Sequence, residues 1–137
     1  MSRRTLRPSV SRAAAEPAPR ALSGPALRAF FRIASDWGLS TKQQRVLLGS
    51  PPSSTFFKWK RELAGSLPKD VLERISYVLG IYKALQILMP VAERADAWIS
   101  RPNTAPMFGG RSALEYMLGG NVGDLYAVRQ YLDAERG

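Results

Sequence analysis

Neither cysteine nor histidine occurs in this 137-residue chain. The first absence removes disulfides, thiol nucleophiles and zinc-thiolate sites, and the second removes the imidazole base of catalytic triads together with the commonest metal ligand. Any acid–base chemistry would fall to carboxylates, lysine, tyrosine or serine, and no two acids sit in a setting that reads as dry. We therefore expect no enzyme, no metal site and no cofactor. Long apolar runs are missing too: no window approaches the roughly 18 apolar residues that a membrane span requires. Acids are scarce at one end only. Residues 1–62 hold 12 Lys/Arg against Glu16, Asp36 and Glu62, whereas residues 63–137 hold eight of each sign. The whole net charge of +9 thus lies at the front, which points to a polyanion there, nucleic acid first, and to a neutral or mixed partner behind.

Residues 1–22 are rich in Arg, Ala, Ser and Pro, and Ser2-Arg3-Arg4-Thr5-Leu6 has the look of a twin-arginine export signal without its apolar stretch. Pro8, Glu16, Pro17 and Pro19 interrupt helix, so this segment reads as a disordered basic arm of a cytoplasmic protein. After Ser23-Gly24-Pro25, a cap with a first-turn proline, Leu27, Phe30, Phe31, Ala34 and Trp37 recur at helical spacing up to Gly38. Ser40-x-x-Gln43 is a capping box for a second helix with Val46, Leu47 and Leu48 on its apolar face, and Gly49 suits its stop. Ser53 or Ser54 caps a third over residues 55–63, where Phe56, Trp59 and Leu63 point one way. A long helical pattern fills residues 68–89, with Gly80 as a kink or break and Pro90 as its end. Another covers residues 91–99. Irregular chain follows through Gly110, Ser112-x-x-Glu115 boxes a short helix that stops at Gly119-Gly120, and Asn121 caps the last, with Val122, Leu125, Val128 and Leu132 in one stripe. No strand signal appears, so the expected class is all-α.

Two short helices joined by a tight turn, the second opening with small hydroxyl residues and edged by cations, suit the major groove in width and chemistry. Ser53, Ser54, Thr55 and Lys58 are the base-facing candidates; Lys42, Gln43, Lys60 and Arg61 are candidates for phosphates or the groove edge. Phe56, Phe57 and Trp59 read as core.

Leu48-Gly49 followed by Ser54-Thr55-Phe56-Phe57-Lys58-Trp59-Lys60 resembles the helix-turn-helix of the Xre/ParS/MbcA antitoxins. The resemblance continues through the segment from Leu72 to Leu85, then Ala95-Asp96-x-Trp98-Ile99-x-Arg101-Pro102-Asn103, Phe108-Gly109-Gly110-Arg111-Ser112 and Asp124-Leu125-x-x-Val128-Arg129-x-Tyr131-Leu132. It covers residue 25 to the end. Two departures stand out: the turn before Trp59 is one residue longer, with Pro51-Pro52 as the insertion, and Ala113 replaces a proline that would suit a first helical turn.

Behind the arm read from composition over residues 1–22, the resemblance implies an Xre-like DNA-binding module over 23–67 and a dimerising, toxin-binding helical domain over 68–137. Its implied partners are operator double-stranded DNA and a RES-domain toxin that consumes NAD or uses it to ADP-ribosylate a target, blocked at its active site by an antitoxin that represses its own operon as a homodimer. The implied toxin contacts are Arg101, Asn103, Phe108, Arg111, Arg129, Asp133, Glu135 and Gly137. Periodicity alone would make Trp98, Phe108 and Met117 core. Asp133, Glu135 and the terminal carboxylate of Gly137 form a candidate stand-in for a dinucleotide pyrophosphate in a cationic pocket. The rival readings are a phage-like dimeric repressor without a toxin, and a toxin inhibitor that no longer binds DNA.

Overall fold

One long helix organises the chain. In the computed structural model, which describes residues 19–137, α4 (Lys69–Leu88) runs for 20 residues. Its buried residues Val71, Ile75, Val78, Ile81 and Leu85 advance by three or four positions at a time, so they make one apolar stripe. Two other helices bury that stripe most extensively: α1 (Pro19–Asp36) from the first half of the chain and α7 (Val122–Arg136) from the second, with α5 (Ala92–Trp98) also against it. α2 (Thr41–Leu47), α3 (Ser53–Glu62) and α6 (Ala113–Met117) complete seven helices among the described residues. No strand occurs among them, only an isolated antiparallel bridge between Pro102 and Ser112. The fold is all-α, a helix-turn-helix packed with a C-terminal helical domain. One buried cluster runs from Leu27 to Leu132 without a break between the halves.

The capping boxes form where the spacing predicts them. Ser40 Oγ accepts from the Gln43 N–H at 3.1 Å while Gln43 Oε1 accepts from the Ser40 N–H at 2.9 Å. Ser112 and Glu115 exchange the same pair of bonds at 3.0 and 2.8 Å. At α7, the Asn121 N–H donates to Asp124 Oδ2 at 3.4 Å. Each box satisfies N–H groups that the first turn leaves without helical partners.

Three local expectations change. The arm expected over residues 1–22 lies outside the described residues as far as residue 18, and residues 19–22 belong to α1. Ser23 is therefore not a cap. It is fully buried, and its hydroxyl accepts the Leu67 N–H at 3.0 Å, while Gly24 leaves room for the Leu63 carbonyl and Pro25 sits inside the helix. A local start signal has been put to tertiary use: it seats the α3–α4 connection on α1. The second change is at Gly80, which does not divide α4. A Cβ there would lie 2.6 Å from Arg129 Nε and Cζ, so the missing side chain is the space through which α7 lays an arginine across α4. Third, the cap of α3 is Pro52, not Ser53 or Ser54, and the helix opens at Ser53.

The Tyr82 hydroxyl donates to Asp36 Oδ2 at 2.9 Å, tying the end of α1 to α4. That bond, and then burial, push the phenol pKa above its ordinary value. No helix among the described residues is long and apolar enough to cross a membrane.

Candidate nucleic-acid and partner-protein surfaces

The turn between α2 and α3 comprises the five residues Leu48 to Pro52, longer than the usual three or four of this motif. It is closed rather than loose. Gly49 and Ser50 both take positive φ, +92° and +57°, and the Ser50 N–H donates back to the Arg45 carbonyl at 2.8 Å. Arg45 Nη2 donates forward to the Pro51 carbonyl at 2.9 Å, so one residue of α2 holds two successive residues of the turn. Gly49 is doubly required, because a Cβ on it would stand 3.1 Å from Arg74 Nε. Arg74 in turn donates to the Gly120 carbonyl at 3.0 Å, bridging the front turn to the glycine pair before α7.

With the turn fixed, α3 is held by Phe56 and Trp59 in the core, and Phe56 stacks edge-to-face on Phe31 of α1 at 5.8 Å. A helix advances about 100° per residue, so the face opposite these two anchors carries Ser54, Phe57, Lys58 and Arg61. All four are exposed. Ser53 is exposed beside them and Thr55 half-buried; because Pro52 does the capping, the hydroxyls of Ser53 and Ser54 have no capping duty. Lys60 is exposed at the flank with its ammonium 5.8 Å from the Phe31 ring centre, and Arg61 meets Glu62 at 3.5 Å, both well in solvent. Lys42 is exposed near the start of α2, but the Gln43 side chain is committed to its capping box. Phe57 departs from the core expectation: 44% exposed, it projects from the outward face.

On the rear half, the segment between α5 and α6 is irregular but pinned. The Asn103 N–H donates to the Arg111 carbonyl at 3.0 Å, the Gly110 N–H to the Asn103 carbonyl at 2.8 Å, and Asn103 Oδ1 accepts from the Ala105 N–H at 2.9 Å. Arg101 and Arg111 stand exposed at its two ends, Arg111 over the Tyr116 ring at 6.0 Å. Phe108, expected among the contacts, is only 1% exposed and makes edge-to-face contacts with Trp98, Tyr116 and Tyr131. It anchors the loop from below and offers no surface to a partner. Met117 is likewise buried, and Trp98 half-buried.

At the end of α7 the expected acidic cluster does not assemble. Asp133 and Glu135 are two positions apart on a helix and so point to different sides. Asp133 is moreover met by Arg129 at 3.6 Å and Arg136 at 3.7 Å, so its charge is already answered. This end of the chain presents a mixed surface, with Asp133 between two arginines and Glu135 on another side of the helix. Beside it, Tyr77, Tyr126, Arg129, Gln130 and Asp133 line an open cleft of about 400 Å³.

Sequence reasoning missed Arg45, whose bonds lie within the turn just after its own helix, and Arg74, whose signal is purely tertiary. It also missed Phe57, whose signal was available: it falls out of step with Phe56, Trp59 and Leu63.

Comparison with known proteins gives a family match on each part of the chain. Residues 16–80 match the antitoxin Xre-like helix-turn-helix domain, and residues 84–137 match the antitoxin Xre/MbcA/ParS C-terminal toxin-binding domain. The two matches adjoin within α4. The chain is also 60% identical over 111 residues to the uncharacterized protein y4oB of Sinorhizobium fredii (strain NBRC 101917 / NGR234), covering 81% of this chain and 84% of the relative. Both halves matching in order, on a fold with a helix-turn-helix at one end and a pinned, cation-edged loop at the other, the chain belongs to the Xre/MbcA/ParS antitoxin family.

Proposed function

We propose that this antitoxin acts as a dimer in the cytoplasm on two partners: it blocks the active site of a RES-domain toxin that consumes NAD or transfers ADP-ribose, and it represses its own operon through α3. The observation that carries the DNA arm is the outward row of α3, where Ser54, Lys58 and Arg61 stand exposed while the opposite face is locked in the core. Ser53, Ser54, Thr55 and Lys58 read base edges; Lys42, Lys60 and Arg61 meet phosphates, and Gln43 fixes the start of α2 beside them. Dimerisation suits this reading, because one short helix reads too few base pairs for useful discrimination.

For the toxin arm, support comes from the matched toxin-binding segment and from the exposed Arg101 and Arg111 on a loop whose backbone is already ordered. A pre-ordered loop loses little freedom on binding. Asn103 shapes that loop, and Arg129 with the end of α7 continues the same contact. The test pairs co-expression with a salt titration. A stable complex with the product of an adjacent RES-like reading frame, restoring cellular NAD, is expected. Binding to the chain's own promoter fragment should weaken with salt at a slope near −0.9 per phosphate, over roughly six to ten phosphates. Failure to bind that product removes the toxin arm, and a flat salt response removes the DNA arm.

A further inference from the structure

Phe57 is the one large exposed apolar residue on the face of α3 that also carries Ser54, Lys58 and Arg61. The other exposed apolar side chains among the described residues have different settings: Leu22 opens α1, Ile87 and Val91 flank the α4–α5 connection, and Tyr126 lies against the Tyr77 ring at 5.5 Å. Phe57 follows Ser54 by three positions and precedes Arg61 by four, so the hydroxyl, the ring and the guanidinium form one row along the helix. Its ring stands edge-to-face on Phe56 at 5.2 Å with an interplanar angle of 77°, and Phe56 is fully buried. One side of the ring thus packs on the core and the rest lies in solvent among polar groups.

Leaving an aromatic in water gives up burial that the fold could otherwise gain. On a groove-facing row, one feature of duplex DNA repays it. The major-groove edge of thymine carries a methyl group, the only apolar group any base presents there, and phenylalanine is among the side chains suited to it. We propose that Phe57 is a specificity-determining residue of this antitoxin, packing on a thymine methyl in the major groove beside Lys58 while Arg61 holds the helix to the backbone. The proposal rests on the DNA arm of the function above. It adds what the phosphate-facing cations cannot supply, since phosphate contacts fix register but carry no sequence.

The test uses the full chain and the duplex it protects within its own promoter. Each thymine is replaced in turn by uracil, which removes only the methyl group. For the unmodified protein one thymine per half-site should matter, its replacement weakening binding about fourfold, the size of one buried methyl. On Phe57→Ala that penalty should vanish, and on Phe57→Leu it should persist. Phe57→Gln serves in place of the alanine variant if that one does not fold. Independently, the same thymine replaced by 5-iodouracil should photocrosslink the unmodified protein at Phe57, mapped by mass spectrometry. An equal uracil penalty with and without the ring, no penalty at any thymine, or a crosslink elsewhere overturns the proposal while leaving the DNA arm standing. A Phe57→Ala protein that binds DNA normally but loses its oligomeric state also overturns it, making the ring a protein contact. If the unmodified chain protects no duplex, the DNA arm itself fails and this proposal with it.

Discussion

α3 and α7 are both helices with one face in the core and one in solvent, yet they treat charge in opposite ways. On α3, Lys58, Lys60 and Arg61 face a single acid, Glu62, and the one ion pair is exposed. On α7, Asp133 is shared between Arg129 and Arg136 at helical spacing. Charges answered within their own helix project little field, whereas a cationic row left unanswered attracts an external anion. The same contrast explains why the front surface suits a polyanion and the rear one suits a protein with mixed charge.

The largest effect should come from Trp59→Ala, because that residue holds α3 to a core shared by both halves. A truncated core aromatic costs about 3–5 kcal/mol. Denaturant unfolding should show one transition at lower midpoint, with DNA and toxin binding lost together; two separate transitions would break the comparison by making the halves independent. Next comes Lys58→Ala with Arg61→Ala. Lys58→Ala should weaken operator binding by roughly 1–3 kcal/mol as a base contact, and Arg61→Ala should lower the salt slope by about 0.9 as a phosphate contact. Toxin neutralisation should be unchanged, and loss of both activities would show these cations to be structural.

Gly80→Ala sharpens the rear side. Arg129 must leave its seat on α4, while alanine gains about 1 kcal/mol of helix propensity, so net stability should change by no more than about 1 kcal/mol and toxin affinity should fall. Unchanged affinity in a pull-down titration would remove Arg129 from the contact. The smallest effect belongs to Asp133→Asn. Both of its ion pairs are substantially solvent-exposed, and such pairs contribute about 0–1 kcal/mol. A thermal denaturation loss well above that would mean that the end of α7 is covered in the assembled protein.

Much of the fold was legible because it depends on nearest neighbours. Ser40-x-x-Gln43 and Ser112-x-x-Glu115 form their boxes as the spacing predicts, since each needs only residues three apart. The α4 stripe was legible for the same reason. Ser23 and Gly80 were misread because their partners, Leu67 and Arg129, lie more than 40 residues away. Phe57 was misread for a different reason: a run of aromatics looks like core unless each is assigned to a helix face. The acids of α7 were counted by proximity in the chain, when a helix sends residues two apart to different sides.

From the chain alone came the helical class, the charge division at residue 62, the order of elements and the family resemblance, all carried by composition and short-range periodicity. Only the tertiary structure decided which groups remain available. It buried Phe108, closed Gly80 against Arg129, seated Ser23 on Leu67 and left Phe57 in solvent. Availability is a property of what else occupies the space around a side chain, and in a helical protein that is set by helices far away in sequence.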